Sequence, residues 1–150
     1  MKKTAYIAII SIVSIFICSC SQPATDAEKV TGMPAIFPNY TEVTIPSDIA
    51  PMNFNPVGAD AEAIDVVVKG KNGGEIHVYG DLAQFPIDDW HALTSANKGA
   101  DLTFTVCIKR DGKWLQYDDF KMYVSKDETG EWGLTYRLIP PGYEVYGHRV

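Results

Sequence analysis

Arg110-Asp111-Gly112-Lys113 separates two runs of alternating apolar and polar residues, Leu102 to Lys109 and Lys113 to Tyr117. Asp-Gly at the centre of such a pattern favours a type I′ turn, in which both central residues have positive φ angles. The sequence therefore predicts an antiparallel hairpin at this point. This hairpin signal is the strongest local indication of β-structure in the chain.

The same two-residue period recurs along the chain, with turn residues between the runs. Lys71-Asn72-Gly73-Gly74 joins two of the runs and offers the positive φ angles of a hairpin loop. Further predicted strands are Thr41–Ile45, an extended stretch Ile49–Phe54, Ile64–Lys69, Glu75–Tyr79, Phe120–Val124 and Leu134–Ile139. Asp118-Asp119 predicts a bulge or bend. About seven strands at this spacing predict an all-β fold, an immunoglobulin-like or fibronectin-type β-sandwich.

One segment departs from the β pattern and predicts a short helix. Asp88 is a candidate N-cap, and Trp90, Leu93 and Ala96 follow at three-residue spacing. Gly99 can end the helix in a left-handed conformation. We expect this helix to close one end of the sandwich.

The N-terminus has the pattern of a lipoprotein export signal. Lys2 and Lys3 precede an apolar run that ends at Ile17 and is too short to span a bilayer of roughly 30 Å. Ser19-Cys20 follows, and Ile17-Cys18-Ser19-Cys20 resembles the bacterial lipobox, with cleavage between Ser19 and Cys20 and lipidation of Cys20. A plain signal peptide or a signal anchor is the alternative.

Cleavage there would divide the chain into a signal peptide (1–19), a lipid-anchored flexible tether (20–38) and a sandwich domain (39–150). The mature chain of 131 residues (150 minus 19) would carry 11 basic and 19 acidic residues, a net charge of 11 minus 19, or −8. Such a charge repels nucleic acid, which is therefore not an expected partner. It also repels an anionic membrane, so we expect the lipid on Cys20 to attach the protein to the membrane. Ser21, in place of an aspartate, favours the outer membrane over the inner one by analogy with sorting rules.

The residues that could carry chemistry are scattered. Cys107 would be the one thiol left free after processing, and no neighbouring base is evident, so a structural thiol is expected. His77, His91 and His148 do not have the spacing of a metal site. The adjacent pairs Asp88-Asp89 and Asp118-Asp119 are better explained by helix capping and a strand bend than by glycoside hydrolysis. The sequence predicts a protein that is not an enzyme and needs no cofactor.

Aromatic residues near turns offer one binding hypothesis. Trp114 follows the Asp-Gly turn, and Trp132 lies near a loop. Either indole could stack on a sugar ring, although core packing is the more common use of tryptophan. Carbohydrate binding is therefore an alternative function.

Two longer runs resemble a known family. VTIPSDIAPMNF (43–54) and TYRLIPPGYEVY (135–146) resemble the N-terminal region of envelope lipoproteins with a TolB-like β-propeller, often labelled cytochrome c biosynthesis proteins. In those proteins a sandwich domain precedes a Cys-x-x-Cys-His haem motif and the propeller. This chain has neither motif nor propeller up to Val150, so no haem site is carried over.

The resemblance implies an accessory or interaction module of the cell envelope. Tyr143, Val145 and Tyr146 are apolar residues near the end of the sequence, and we expect them to contact a propeller domain or another envelope protein. A haem-linked redox protein whose functional region lies outside this sequence is the alternative.

Overall fold

The structure is a computed structural model that describes residues 23–130. In this part of the chain, one helix, α1 (Ile87–Ala96), lies between the sixth and seventh strands. The strands are β1 (Glu28–Lys29), β2 (Ile36–Phe37), β3 (Thr44–Ile45), β4 (Asn55–Pro56), β5 (Ala61–Gly70), β6 (Glu75–Gly80), β7 (Asp101–Arg110), β8 (Lys113–Gln116) and β9 (Phe120–Val124).

The two longest strands, β5 and β7, pair antiparallel at the centre of a seven-stranded sheet. β6 flanks β5 on one side. On the other side of β7, β8 pairs with its C-terminal half and β9 with its N-terminal half. Two short parallel strands complete this side, β1 beside β8 and β3 beside β9. β2 and β4 form a separate two-stranded ribbon.

The predicted central hairpin is confirmed. Lys113 lies opposite Arg110, and Asp111 and Gly112 have φ angles of 50° and 73°, the signs that a type I′ turn requires. The second hairpin joins β5 to β6, and its turn also has positive φ angles, at Gly73 and Gly74. Glycine adopts such angles without steric cost. Both turns follow from local chemistry, which is why the sequence predicts them.

One face of the sheet carries the core. Phe104 on β7 and Phe120 on β9 stack with ring centroids 4.8 Å apart and planes inclined by 8°, and Phe54 packs against Phe120 at 6.4 Å. Trp90 from α1 and Ile36 from the β2–β4 ribbon cover the same face. Phe104, Phe120 and Trp90 are fully buried. The helix and the ribbon therefore form the second layer over this sheet.

The helix begins differently from the prediction, whereas Gly99, two residues after the C-cap Asn97, has the predicted left-handed conformation (φ 74°). Its N-cap is Pro86, without a side-chain cap, and Asp88 lies in the first turn, where its charge favours the helix dipole. Trp90 and Leu93 are buried as predicted, but Ala96 is exposed. Asn97 is buried in its place and donates to the Leu93 carbonyl (2.8 Å).

The first described segment also differs from the prediction. Residues 23–38 contain β1 and β2 and belong to the folded part, whereas their polar composition predicts a flexible tether. Backbone pairing explains the difference, because Val30 donates to the Gln116 carbonyl (2.9 Å) and Val57 donates to that of Ala35 (2.8 Å). The predicted strand at Thr41–Ile45 is shorter and begins at Thr44.

The all-β class with one short helix is confirmed. The alternation is interrupted between Gln116 and Phe120 as predicted, where β8 ends and β9 begins. Within residues 23–130 the strands form one seven-stranded sheet and one ribbon, and the sandwich assignment stays a prediction. The predicted strand Leu134–Ile139 and the signal peptide lie outside the described residues.

The stacked aromatic pair supports a stability prediction. Phe120→Ala removes a fully buried ring and its contacts with Phe104 and Phe54, and we expect the free energy of unfolding to fall by about 3–5 kcal/mol. Tyr123→Ala, on the opposite face of β9 and 41% exposed, is the control and should cost less than about 1 kcal/mol. Urea denaturation of the two variants measures both values, and equal losses would contradict this description of the core.

Candidate functional site

A buried acid lies on the face of the sheet opposite the core. Asp65 alternates with the core residues Ile64 and Val66 along β5, so its side chain points away from the core. It is only 4% exposed. Its Oδ2 accepts a hydrogen bond from the backbone N–H of Ala24 (2.8 Å), which brings the N-terminal segment onto this face.

His77 is the second partner of this acid. Its Nε2 lies 3.0 Å from each carboxylate oxygen of Asp65, and its side chain is 40% exposed. A proton on Nε2 lets the imidazole donate to the carboxylate. Because a buried carboxylate is costly without hydrogen bonds, His77 and Ala24 together account for the position of Asp65.

Cys107 completes the cluster as the register partner of Asp65 on β7. Burial, and then the negative charges of Asp65 and Asp119, raise the pKa of its thiol to about 11. The thiol is therefore protonated at neutral pH and is a poor nucleophile. Among the hydrogen bonds of residues 23–130 none joins His77 to Cys107, and both residues adjoin Asp65.

The N-terminal segment is held at further points along the sheet. β1 pairs parallel with β8, with Glu28 opposite Leu115. Gly32 donates its N–H to Oδ2 of Asp118 (2.8 Å) and accepts from the Asp118 N–H through its carbonyl (3.0 Å). Asp118 thus has a structural role in the strand bend.

An open groove of about 740 Å³ lies beside the end of β6. We call it the β6 groove. Three exposed apolar side chains line it, Tyr79 (47% exposed), Leu82 (40%) and Ile87 (56%). Phe85 lies beneath, and its backbone N–H donates to Oδ1 of Asn53 (2.9 Å). Apolar side chains gathered in a concave surface are typical of a contact surface.

The structure describes one of the predicted binding residues. Trp114 lies half-buried on β8 and lines a shallow depression of about 470 Å³ with polar neighbours that include Asp26 and Lys109. The other predicted site residues lie outside the described part of the chain: Ser19, Cys20, Trp132, Tyr143, Val145 and Tyr146. The structure therefore does not test lipidation or the predicted contact surface.

The histidines and paired acids described by the structure are spread over different elements. Asp88 and Asp89 are exposed in the first turn of α1, and His91 follows in the same helix. Residues 23–130 contain no group of three or more histidine, cysteine or acidic side chains placed to hold a metal ion. Among the same residues, no helix has the length and apolar character to cross a membrane.

Two features of the site were missed from the sequence. Asp65 interrupts the apolar run Ile64-Asp65-Val66-Val67-Val68, and a single acid in such a run is a signal for a partnered buried carboxylate. Leu82 and Ile87 lie at the two ends of a turn-rich stretch, and no period marks them as neighbours. Their proximity depends on how α1 packs against the sheet.

Comparison of the chain with protein-family models, curated proteins and solved structures gave no match. The resemblance to TolB-like envelope lipoproteins therefore stays a prediction from the two sequence runs.

The raised pKa of Cys107 supports a prediction about reactivity. Because the folded pKa of about 11 lies above the ordinary value of 9.0, the folded chain keeps the thiol protonated between these pH values. The neutral thiol's contribution to stability is present below pH 9 and is lost as the pH rises through 11. At pH 9 we expect alkylation by iodoacetamide to be at least about 50-fold slower in the folded chain than in urea.

Mass spectrometry of the tryptic peptide 99–109, which contains Cys107, measures this rate without interference from Cys18 and Cys20. The urea-unfolded chain at the same pH is the control. Equal rates in the two states would contradict the buried environment of this thiol.

Proposed function

We propose that this chain is a lipid-anchored, non-catalytic interaction module of the cell envelope, held in the membrane through Cys20. The proposal includes the sandwich assignment and the outer membrane as the preferred location. The pattern Lys2, Lys3, apolar run, Ser19-Cys20 supports the anchor. The acidic composition is a further support, because a chain of net charge −8 after cleavage (11 minus 19) needs a hydrophobic attachment to an anionic surface.

One structural observation carries the proposal. The backbone N–H of Ala24, four residues after Cys20, is bonded to the buried Asp65. Four residues span at most about 14 Å, so a lipid on Cys20 would hold the folded domain close to the bilayer surface. A short attachment of this kind suits a module that works beside the membrane.

The interaction role is supported by apolar residues of the sequence that lie beyond the described part of the chain, Tyr143, Val145 and Tyr146. We propose a propeller domain or another envelope protein as the partner. The raised pKa of the Cys107 thiol, which keeps the thiol protonated at neutral pH, supports a role other than nucleophilic catalysis.

Substitution of the predicted lipid attachment site tests the anchor. We expect Cys20→Ala to abolish incorporation of labelled palmitate and to release the protein from washed membranes, because one acyl chain contributes about 0.8 kcal/mol for each buried methylene. Cys18→Ala and Cys107→Ala are the matched controls and should remain membrane-bound. Intact mass of the purified protein identifies the modified residue.

A Cys20→Ala protein that stays fully membrane-bound and labelled would contradict the proposal. Release of the Cys18→Ala protein instead would move the attachment to the other cysteine and contradict cleavage between Ser19 and Cys20.

Carbohydrate binding at Trp114 is a second candidate function. It is supported by the depression in which the indole lies beside Asp26 and Lys109, since sugar sites combine an aromatic face with polar side chains. Trp132, the other candidate for stacking, lies outside the described residues.

A glycan array tests this second candidate. If sugar binding is the function, Trp114→Ala should lower the affinity at least about 10-fold, because stacked aromatic contacts contribute about 0.5–1.5 kcal/mol beyond the area that they bury. Trp114→Phe is the matched variant, since it keeps an aromatic face. Absence of binding by the unchanged protein, or equal binding by Trp114→Ala, would eliminate the candidate.

A further inference from the structure

Strand β6 is an open edge of the main sheet within residues 23–130. It pairs with β5 on one side, and no other described strand lies on its second side. The Gly70 N–H donates to the Gly74 carbonyl (3.0 Å), which marks this pair as hydrogen-bonded in the β5–β6 ladder. Because such pairs alternate in an antiparallel ladder, Ile76 and Val78 direct their backbone groups towards β5.

The alternate residues Glu75, His77 and Tyr79 consequently direct their N–H and C=O groups away from the sheet. Among the described residues no backbone hydrogen bond reaches them. A six-residue strand whose outer side has no partner is a template for one more strand, and proteins usually cover such an edge or make it unsuitable for pairing.

Two concave surfaces lie along this edge. The β6 groove adjoins its C-terminal half at Val78, Tyr79 and Gly80. A second depression, of about 370 Å³, adjoins its N-terminal half at Glu75 and Ile76 and is bounded by Leu93 and Ala96 of α1. A strand added beside β6 could place alternate side chains in these two depressions, between the edge and the helix.

The described chain ends beside the segment that leads into the β6 groove. The Thr129 N–H donates to both carboxylate oxygens of Asp48, at 3.0 and 3.1 Å. Asp48 is three residues before Pro51, which lines the β6 groove. From Thr129 to Leu134 the chain can span about 17 Å when extended, which is enough to pass from Asp48 beyond Pro51.

The sequence that follows matches the edge in length and pattern. Leu134–Ile139 is a six-residue alternating run, and Pro140-Pro141 ends it. Leu134, Tyr136 and Leu138 form the more apolar side. Thr135, Arg137 and Ile139 form the other side, which would lie beside Tyr79, His77 and Glu75.

We propose that residues 134–139 add to β6 of the same chain as an antiparallel strand, with Leu134 opposite Gly80 and Ile139 opposite Glu75. This direction follows from the entry point at the Gly80 end of β6. The apolar side then faces the two depressions, and Arg137 comes within diagonal reach of the Glu75 carboxylate. A segment of the same chain has an effective concentration in the millimolar range, which favours it over a second molecule.

Hydrogen exchange by NMR on the full chain in detergent micelles tests the proposal. The amides of Glu75, His77 and Tyr79 should exchange at least about 100-fold more slowly than unprotected amides. Tyr136→Asp places a charge on the apolar side and should return these three amides to fast exchange. Thr135→Asp is the matched control, because it places the same charge one residue away on the other side, and it should leave them protected.

The amides of Ile76 and Val78, which are bonded to β5, should stay protected in both variants. Should Tyr136→Asp unfold the domain, the unchanged chain still decides the question. An antiparallel strand in this register places Val78 against Tyr136 and Ile76 against Leu138 as non-hydrogen-bonded pairs, with Cα atoms about 4.5 Å apart, so cross-strand Hα–Hα NOEs are expected for both.

Fast exchange of Glu75, His77 and Tyr79 in the unchanged chain, or absence of both NOEs, would overturn the proposal. Protection that disappears on dilution, together with a dimer mass at high concentration, would assign the edge to a second copy and would also overturn it. Neither result depends on lipidation of Cys20, so the outcome is separate from that of the proposed function.

Discussion

The pairing of β5 with β7 is the contact on which the rest of the structure depends. Its register runs from Ala61 opposite Arg110 to Gly70 opposite Leu102, and every other strand of the main sheet is attached to one of these two strands directly or through a neighbour. The register also decides which side chains form the core. A shift of β5 by one residue would turn Asp65 into the apolar layer and turn Val66 out of it, so burial of that layer specifies the pairing strongly.

The parts of this fold that sequence reasoning predicts are those governed by near neighbours. Asp111-Gly112 requires a particular turn, and the two-residue period predicts the strands that it joins. The parallel pairing of β1 with β8 is different, because it joins residues far apart in the chain and β1 has only two residues. The same limit applies to the sites. The predictions for Trp114 and Cys20 rest on residue type and local pattern and stay predictions, whereas the positions of Asp65 and Ile87 depend on packing between distant segments.

The partners of Asp65 connect the N-terminus with the fold. A carboxylate that is 4% exposed is costly unless donors satisfy it, and one of its two donors here is a backbone N–H from the start of the described chain. The N-terminal segment is therefore not a spacer that could be lengthened without consequence. Its polar composition predicts disorder when it is considered alone, but the sheet supplies both the carboxylate and the backbone groups of β8 with which it pairs.

The two edges of the main sheet differ in how other strands cover them. Beyond β7, β1 pairs with the outer side of β8, and β3 pairs with the outer side of β9. Both are short parallel strands from the first third of the chain. At the opposite side β6 has no equivalent cover among residues 23–130, and its flanking surface is apolar at Tyr79, Leu82 and Ile87. An open strand beside an apolar groove is unfavourable in water and invites association. The proposed strand at 134–139 would cover this side of the sheet by the same means as β1 and β3 cover the other side, with one short strand added to each exposed backbone.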